Sequence, residues 1–219
     1  MGKIKVAIQG ELGAYSHIAA EKLYKDSNIK TCSTFEETFK HAYNDPSYKI
    51  VIPIENSLAG RVADIHYLLP KYKLQIHGEH FLPVEHNLLG KFDAKIEDIK
   101  YVRSHAQAIS QCQNIIAKRK FKSIISVDTA GSAKDLAEGK DKSIAAIASD
   151  LSAKMYNLKI LEKNIEDEKG NVTRFLIMGK NIEQPEYTSG KKFITSCIFR
   201  VKSEPSALYK CLGGFATNQ

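Results

Sequence analysis

The sequence predicts an α/β fold of two lobes with a cleft between them. Apolar, β-branched runs alternate with helix-like stretches along most of the 219 residues, a pattern typical of largely parallel sheets covered by helices. A long strand-like stretch over 74–89 and a strand over 173–179 are expected to cross between the two lobes. Ligands usually bind in such clefts and at the carboxyl ends of parallel strands.

The first lobe is expected to alternate strands with helices. Residues 3–9 are rich in Ile and Val and end at a glycine, so they predict a buried strand. Thr34 followed by Glu37 is a capping-box pattern, which predicts a helix reaching about residue 43. The other expected elements are helices over 16–24 and 58–69 and a strand over 50–54.

The second lobe repeats this alternation before the chain returns at 173–179. Its expected strands cover 99–104, 123–127 and 143–148, and its expected helices cover 106–117, 132–138 and 150–156. We therefore place one domain at 1–180, with lobe 1 at about 1–78 and 170–180 and lobe 2 at about 79–169. A polar stretch over 181–192 is expected to be a linker. The last residues, 193–219, contain an expected strand over 193–201 and a helix over 207–215, too little for an independent core.

Composition and charge narrow the class of protein. The net charge of +7 favours an anionic partner, but the lysines mix with acids and no nucleic-acid-binding module is present, which favours a small acid over nucleic acid. The four cysteines form no CxxC pair, so we expect buried, reduced thiols, a reducing compartment and no zinc site. Without a signal-like start or a membrane-length apolar run, the expected location is the cytoplasm.

Four segments share one design, in which a strand ends at a polar turn and a helix begins. They cover 10–17, 53–60, 103–107 and 128–132. Free backbone N–H groups at helix starts attract carboxylates, so four such turns predict a cleft for a small acid with several charges. The polar and small residues at these turns include Ala14, Tyr15, Ser16, Glu55, Asn56, Ser57, Ser104, Asp128 and Thr129.

A fifth segment, over 171–175, opens the returning strand. Thr173 offers a hydroxyl donor, and Arg174 offers two parallel hydrogen bonds to a carboxylate. Ordinary structural roles stay open as alternatives: Thr favours strands, and Asp128 suits a helix N-cap. The three histidines over 77–86 do not indicate a metal site, because positions 77 and 80 of an alternating strand face opposite sides.

These segments, in order, resemble the motifs of prephenate dehydratases. Gly10-Glu11-Leu12-Gly13-Ala14-Tyr15-Ser16 is similar to the family's glycine-rich loop, and Glu55-Asn56-Ser57 with Gly60 is similar to its Glu-Asn-Ser-x-x-Gly motif. Ser104-His105-Ala106-Gln107 with Gln111-Cys112, the Ala-Ala-Ile-Ala-Ser segment over 145–149, and Asn171-x-Thr173-Arg174-Phe175 complete a resemblance covering about 4–179. Residues 195–215, with Glu204-Pro205-Ser206-Ala207-Leu208, resemble the start of the family's regulatory ACT domain.

The resemblance implies a fold, a reaction and roles for residues. The fold would be two-lobed and like type II periplasmic binding proteins, followed by an incomplete ACT (α+β) domain. The reaction would convert prephenate to phenylpyruvate, water and carbon dioxide without metal or other cofactor. Thr173 would donate to the leaving hydroxyl, and Arg174 would pair with a carboxylate. Orientation of the substrate would fall to Asn56, Ser104 and Gln111, with Glu55, Ser57, Ala14, Tyr15, Ser16, Asp128, Thr129 and Phe175 lining the pocket.

Two departures and three alternatives accompany this interpretation. Ala106 stands where the family has proline and is expected to loosen the loop holding Ser104; Ser206 stands where the ACT motif has glycine. The alternatives are an arogenate dehydratase, a non-catalytic small-acid-binding module like solute-binding proteins, and an inactive truncated chain. A homodimer is expected, with L-phenylalanine as effector only where the ACT domain is complete.

Overall fold

The computed structural model describes residues 3–181 and 186–217. The chain divides into two compact units, residues 1–184 and 185–219. The elements of the first unit are β1 (Lys5–Gln9), α1 (Tyr15–Leu23), β2 (Asn28–Cys32), α2 (Phe35–Asn44), β3 (Tyr48–Asn56), β4 (Gly60–Arg61), α3 (Ala63–Tyr72), β5 (Gln75–Pro83), β6 (Asn87–Gly90), a 3-10 turn (Ile96–Asp98), β7 (Tyr101–His105), α4 (Ala106–Ser110), α5 (Gln113–Arg119), β8 (Lys122–Ser126), α6 (Thr129–Glu138), β9 (Ile144–Ala148), α7 (Asp150–Met155), β10 (Lys159–Glu162) and β11 (Val172–Gly179).

The first sheet has the strand order β2-β1-β3-β11-β5, with the short β4 paired to β3. Strands β2, β1 and β3 are parallel, whereas β11 runs antiparallel to both β3 and β5. Because side chains alternate along a strand, Ile8 packs in the core cluster that contains Ala19 of α1. Its neighbour Ala7 packs in the cluster with Phe39 of α2 and Ile65 of α3. Helices therefore cover both faces of this sheet.

The second sheet has the strand order β10-β6-β9-β7-β8. Strand β7 is parallel to β8 and β9, and β6 is antiparallel to β9 and β10. Val102 of β7 and Ile147 of β9 are fully buried in a cluster with Ile109 of α4 and Ile116 of α5. The chain thus forms two sheets with separate apolar cores, joined where β5 leads into β6 and where the chain returns to β11.

The two-sheet α/β architecture is confirmed, but the expectation of largely parallel sheets is wrong. Both sheets are mixed, because the crossing strands β5 and β11 pair antiparallel in the first sheet and β6 pairs antiparallel in the second. The chain leaves the first sheet at Pro83, a few residues beyond the expected crossing at 78. A strand that returns from the second lobe enters the first sheet from the opposite end, which produces its antiparallel pairing.

Helix α3 begins at Ala63 rather than at residue 58 as predicted. The Oδ1 atom of Asn56 accepts the backbone N–H groups of Leu58 (3.1 Å) and Ala59 (2.9 Å), which closes a turn instead of a helix. Gly60 follows with φ of 79°, a left-handed conformation that suits glycine, and leads into β4. The backbone of this turn therefore fixes the orientation of the Asn56 side chain at the end of β3.

The second unit contains the predicted helix but not the predicted strand. Residues 193–201 form no strand within the described range 186–217, whereas α8 covers Ala207–Thr217. An extended segment without a neighbouring strand leaves its ladder hydrogen bonds unmade, which accounts for the difference. Ser206 adopts φ of 65°, the region favoured by glycine. Residues 182–185 of the expected linker lie outside the described residues.

The cysteines are unpaired, and their environments differ. Cys32 and Cys112 are buried as expected, but Cys197 is exposed and Cys211 is half-buried, so the expectation of four buried thiols is wrong for the last two. They lie on the second unit, where no apolar core of described residues encloses them. No helix within 3–181 or 186–217 has the length and apolar character needed to cross a bilayer.

Candidate active site

Asn56 lies at the end of β3 and is the centre of a polar cluster. Its Nδ2 atom donates to Oδ1 of Asn171 (2.6 Å) and to Oγ1 of Thr173 (2.9 Å). Its Oδ1 atom accepts two backbone N–H groups from the turn after β3. These backbone donors determine which end of the amide carries oxygen. The Thr173 oxygen is therefore an acceptor from Asn56, and its own hydrogen remains available to another acceptor.

Gln111 extends this cluster to the second lobe. It follows α4, and its Oε1 atom accepts from Nδ2 of Asn171 (3.1 Å) and lies 2.9 Å from Nε2 of His86. The other ring nitrogen of His86, Nδ1, lies 2.9 Å from the hydroxyl of Tyr15, which also donates to the carbonyl of Glu85 (2.8 Å). We refer to the connected side chains as the hydrogen-bond relay: Thr173, Asn56, Asn171, Gln111, His86 and Tyr15.

The relay is electrically neutral at neutral pH, with His86, Asn171 and Thr173 buried and its other three side chains half-buried. Burial lowers the pKa of His86, against smaller upward contributions from the hydrogen bond to Gln111 and from the nearby Glu166 carboxylate. Burial also raises the pKa of Tyr15 well above its ordinary value, and neighbouring acidic groups add to that effect. Both side chains therefore keep their uncharged forms, in which each hydrogen bond depends on a definite donor and acceptor.

Arg174 lies apart from Thr173, because consecutive residues of a strand point to opposite faces. Its Nε and NH2 atoms lie 2.7 Å and 2.6 Å from the same Glu79 oxygen, and its NH1 atom lies 4.0 Å from Glu55. Its guanidinium also lies 6.0 Å from the centre of the Phe81 ring. We expected Arg174 to pair with a substrate carboxylate. In the structure its two donors nearest to an acid face Glu79 instead. Glu55 lies with Arg174 rather than beside Thr173.

Two further predicted site residues are interior. The Ser104 hydroxyl is fully buried and donates to the carbonyl of Ile147 (2.7 Å), which ties β7 to β9. Phe175 is 1% exposed and packs in the core below α1. Neither side chain presents surface that a ligand could contact. Ala106 is the first residue of α4 and directly follows β7, the strand that Ser104 ties to β9.

The remaining candidates lie at helix starts and strand ends. Asp128 caps α6 and accepts the backbone N–H of Gly131 (2.6 Å), with Thr129 as the first helical residue. The Ser57 hydroxyl accepts the backbone N–H of Val172 (2.9 Å), which joins the turn after β3 to the start of β11. Ala14 occupies the cap position of α1 and Ser16 is buried in its first turn. Helices α1, α4 and α6 begin at three of the four predicted turns, whereas the turn over 53–60 leads into β4.

The glycine-rich loop before α1 contacts the second lobe directly. The carbonyl oxygen of Gly13 accepts from the hydroxyls of Ser149 (2.6 Å) and Ser152 (3.0 Å) at the start of α7. The hydroxyl of Tyr156 donates to the carbonyl of Leu12 (2.8 Å), and Lys134 lies 3.2 Å from Glu11. We refer to these contacts of residues 11–13 as the interlobe loop contact. This loop therefore contributes to holding the lobes together.

Sequence reasoning missed His86 and gave no role to Asn171. Asn171 is the first residue of the motif that contains Thr173, and this position is the sequence signal for its role. His86 was considered only as a metal ligand, and its pairing with Gln111 depends on how the lobes meet. No group of three or more His, Cys, Asp or Glu side chains suited to a metal ion occurs in the described parts of the chain.

Comparison with known proteins identifies the family. The family model described as prephenate dehydratase matches residues 6–183. A bifunctional N-acyl-homoserine lactone acylase/prephenate dehydratase of Komagataeibacter europaeus is 39% identical over 219 residues, covering 99% of this chain and 76% of that protein. Arogenate dehydratase/prephenate dehydratase 2 of Arabidopsis thaliana is 39% identical over 217 residues, and this chain spans 56% of its length.

A solved structure supports the same relationship. The crystal structure of the prephenate dehydratase of Staphylococcus aureus subsp. aureus Mu50 has a TM-score of 0.74 and 27% sequence identity, with coverage of 97% of this chain and 79% of that one. The family model alone covers most of the chain. The chain belongs to the prephenate dehydratase family.

Proposed function

We propose that this chain catalyses the decarboxylating dehydration of prephenate to phenylpyruvate, as part of aromatic amino-acid biosynthesis. The observation that carries the proposal is the Thr173 hydroxyl, whose oxygen accepts from Asn56 and whose hydrogen is donated to no acceptor within residues 3–181 and 186–217. Thr173 is 8% exposed, so it retains a small accessible surface. Membership of the prephenate dehydratase family supports prephenate as the substrate. The position of the Thr173 hydroxyl supports its role as the hydrogen-bond donor.

The reaction needs a hydrogen-bond donor to the hydroxyl that leaves the ring. The bond between the ring and its carboxylate breaks, carbon dioxide leaves, and the electron pair enters the ring. The ring carbon–oxygen bond breaks, and the departing hydroxyl takes up a proton and leaves as water. Thr173 would donate a hydrogen bond to that oxygen as charge develops on it. A threonine hydroxyl is a weak acid, so a donor already oriented before the reaction contributes more than full proton transfer.

The other residues would hold the donor and the substrate. Asn56 and Gln111 would orient the substrate from the two lobes, because both already belong to the relay that contains Thr173. Ser104 would act by holding β7 against β9. For Arg174, the bonds to Glu79 support a role in holding β11, the strand that carries Thr173, against β5. Asp128 would act by capping the start of α6 in the second lobe.

The substrate test is a panel of three compounds. Formation of phenylpyruvate from prephenate is measured by ultraviolet absorbance, and arogenate and an N-acyl-homoserine lactone are supplied separately because relatives carry those names. Our proposal requires prephenate to be turned over. Turnover of arogenate alone would replace the substrate, and hydrolysis of the lactone's amide alone would replace the reaction. A folded chain with no activity would favour a small-acid-binding module.

Location and assembly remain predictions. We propose a cytoplasmic enzyme that forms a homodimer, with L-phenylalanine as an effector where an ACT domain is complete. The proposal for the effector rests on the resemblance of residues 195–215 to the start of an ACT domain. Sedimentation should give twice the mass of the chain.

A further inference from the structure

His86 lies where the chain passes from one lobe to the other, between the end of β5 and the start of β6. It is 3% exposed. Its backbone N–H donates to the carboxylate of Glu166 (2.9 Å), and its carbonyl accepts the N–H of Ile165 (2.8 Å). The backbone is therefore held on both sides by the loop before β11, and the ring has little freedom to move.

The backbone also determines the direction of every hydrogen bond between Thr173 and His86. Two backbone N–H groups bind Oδ1 of Asn56, so Nδ2 of Asn56 must donate to Thr173 and to Oδ1 of Asn171. Asn171 therefore donates from Nδ2 to Oε1 of Gln111. That oxygen is an acceptor, so the hydrogen in the contact with His86 must lie on Nε2 of the ring.

The second ring nitrogen completes the assignment. A neutral imidazole with hydrogen on Nε2 presents a lone pair on Nδ1, which faces the Tyr15 hydroxyl at 2.9 Å. The single hydrogen of that hydroxyl is shared between Nδ1 and the Glu85 carbonyl oxygen, which lies 2.8 Å away. The two rings meet edge-on, with centroids 5.8 Å apart and an angle of 78° between planes. Tyr15 belongs to α1 in the first lobe, and Gln111 follows α4 in the second. His86 thus bridges side chains from both lobes.

We propose that His86 is a positioning residue, which orients the Gln111 amide through Nε2–H and, through Asn171 and Asn56, the Thr173 hydroxyl. This inference rests on the proposed function. Without the Nε2 donor, the Gln111 amide is free to rotate, Asn171 loses a defined acceptor, and Asn56 loses one of its restraints. Misplacement of a catalytic group by about 1 Å costs on the order of 10²-fold in rate.

Two variants separate donation from packing. His86→Gln keeps an amide N–H at about the distance of Nε2, whereas His86→Leu has similar bulk and no donor. We expect His86→Leu to lower kcat on the order of 10²-fold with little change in KM. His86→Gln should recover most of that loss. Urea unfolding measures the stability of both variants. A purely structural role of His86 would lower their stability and would not make their kcat values differ.

A double-mutant cycle and a spectrum complete the test. In a Gln111→Leu background, His86→Leu should cause little additional loss, since the bond it would break is already absent. Nitrogen-15 NMR of histidine-labelled wild-type chain should find the Nε2–H tautomer for His86. An Nδ1–H tautomer, or an active wild type whose His86→Leu variant keeps its kcat, would overturn the positioning role alone. A wild-type chain inactive on prephenate and arogenate would instead overturn the proposed function, and the positioning role with it.

Discussion

Replacing Gly13 with alanine tests the interlobe loop contact. Gly13 has φ of 91°, and an added Cβ would lie 2.6 Å from Oγ and 2.8 Å from Cα of Ser152. A hydroxyl can rotate away, but a backbone Cα can move only with its helix. A left-handed non-glycine residue costs about 1–3 kcal/mol, and overpacking costs typically about 1–3 kcal/mol. The expected loss is about 2–6 kcal/mol in the free energy of unfolding, against a typical total of about 5–15 kcal/mol.

Gly170 provides the matched control for this prediction. Its φ is 85°, but a Cβ there would meet nothing within 4 Å, so Gly170→Ala pays only the backbone cost of about 1–3 kcal/mol. Urea unfolding of the wild type and both variants gives the comparison. Gly13→Ala should be the less stable variant by about 1–3 kcal/mol, the overpacking contribution. Equal stability of the two variants would refute the reasoning that this loop packs against the helix of the second lobe.

Three further predictions concern charge and capping. Burial lowers the pKa of His17 and of His86 in the folded chain. As the pH falls, the two imidazoles are therefore protonated first in the unfolded chain, near the ordinary histidine pKa of about 6.5. Stability should be full above about pH 6.5 and fall as the pH drops below it; urea midpoints at about pH 7.5 and 5.5 check this, and a flat profile would contradict it. Asp128→Ala should cost about 0.5–2 kcal/mol by removing the cap of α6, whereas Asp128→Asn should keep stability; equal losses in urea unfolding would contradict the capping role. Arg174→Gln and Glu79→Gln should each cost roughly 0.2–1 kcal/mol for this partly exposed pair, and the double variant should cost no more than one of them; additive losses would exclude a coupling.

The elements with strong periodicity and clear end signals were predictable. Thr34 accepts the backbone N–H of Glu37 (3.0 Å), and the Glu37 carboxylate accepts the N–H of Ser33 (2.7 Å), so α2 begins where the capping pattern placed it. Strand β2 was missed because it is a polar edge strand whose exposed and half-buried residues alternate, which lacks an apolar run. Strands β4 and β10 are short and depend on tertiary pairing.

The site was predictable by residue type but not by contact. Asn56 and Thr173 are 117 residues apart and meet only because β3 and β11 are neighbours in register. The same pairing turns Arg174 toward Glu79, a partner 95 residues away that no local pattern indicates. His86 entered the sequence argument as one of three histidines on a strand, and its partners come from two different lobes. Such contacts depend on sheet order, which a single sequence does not specify.

The central claim is that the free hydrogen of Thr173 acts on the leaving oxygen of prephenate. The most direct test compares Thr173→Ser with Thr173→Val in the ultraviolet assay of phenylpyruvate formation, with unfolding curves to establish that both variants fold. Serine keeps the hydroxyl, and valine keeps the shape without it. We predict that Thr173→Ser retains much of the activity and that Thr173→Val loses roughly 10²–10⁴-fold in kcat. Equal activities in the two folded variants would contradict the account.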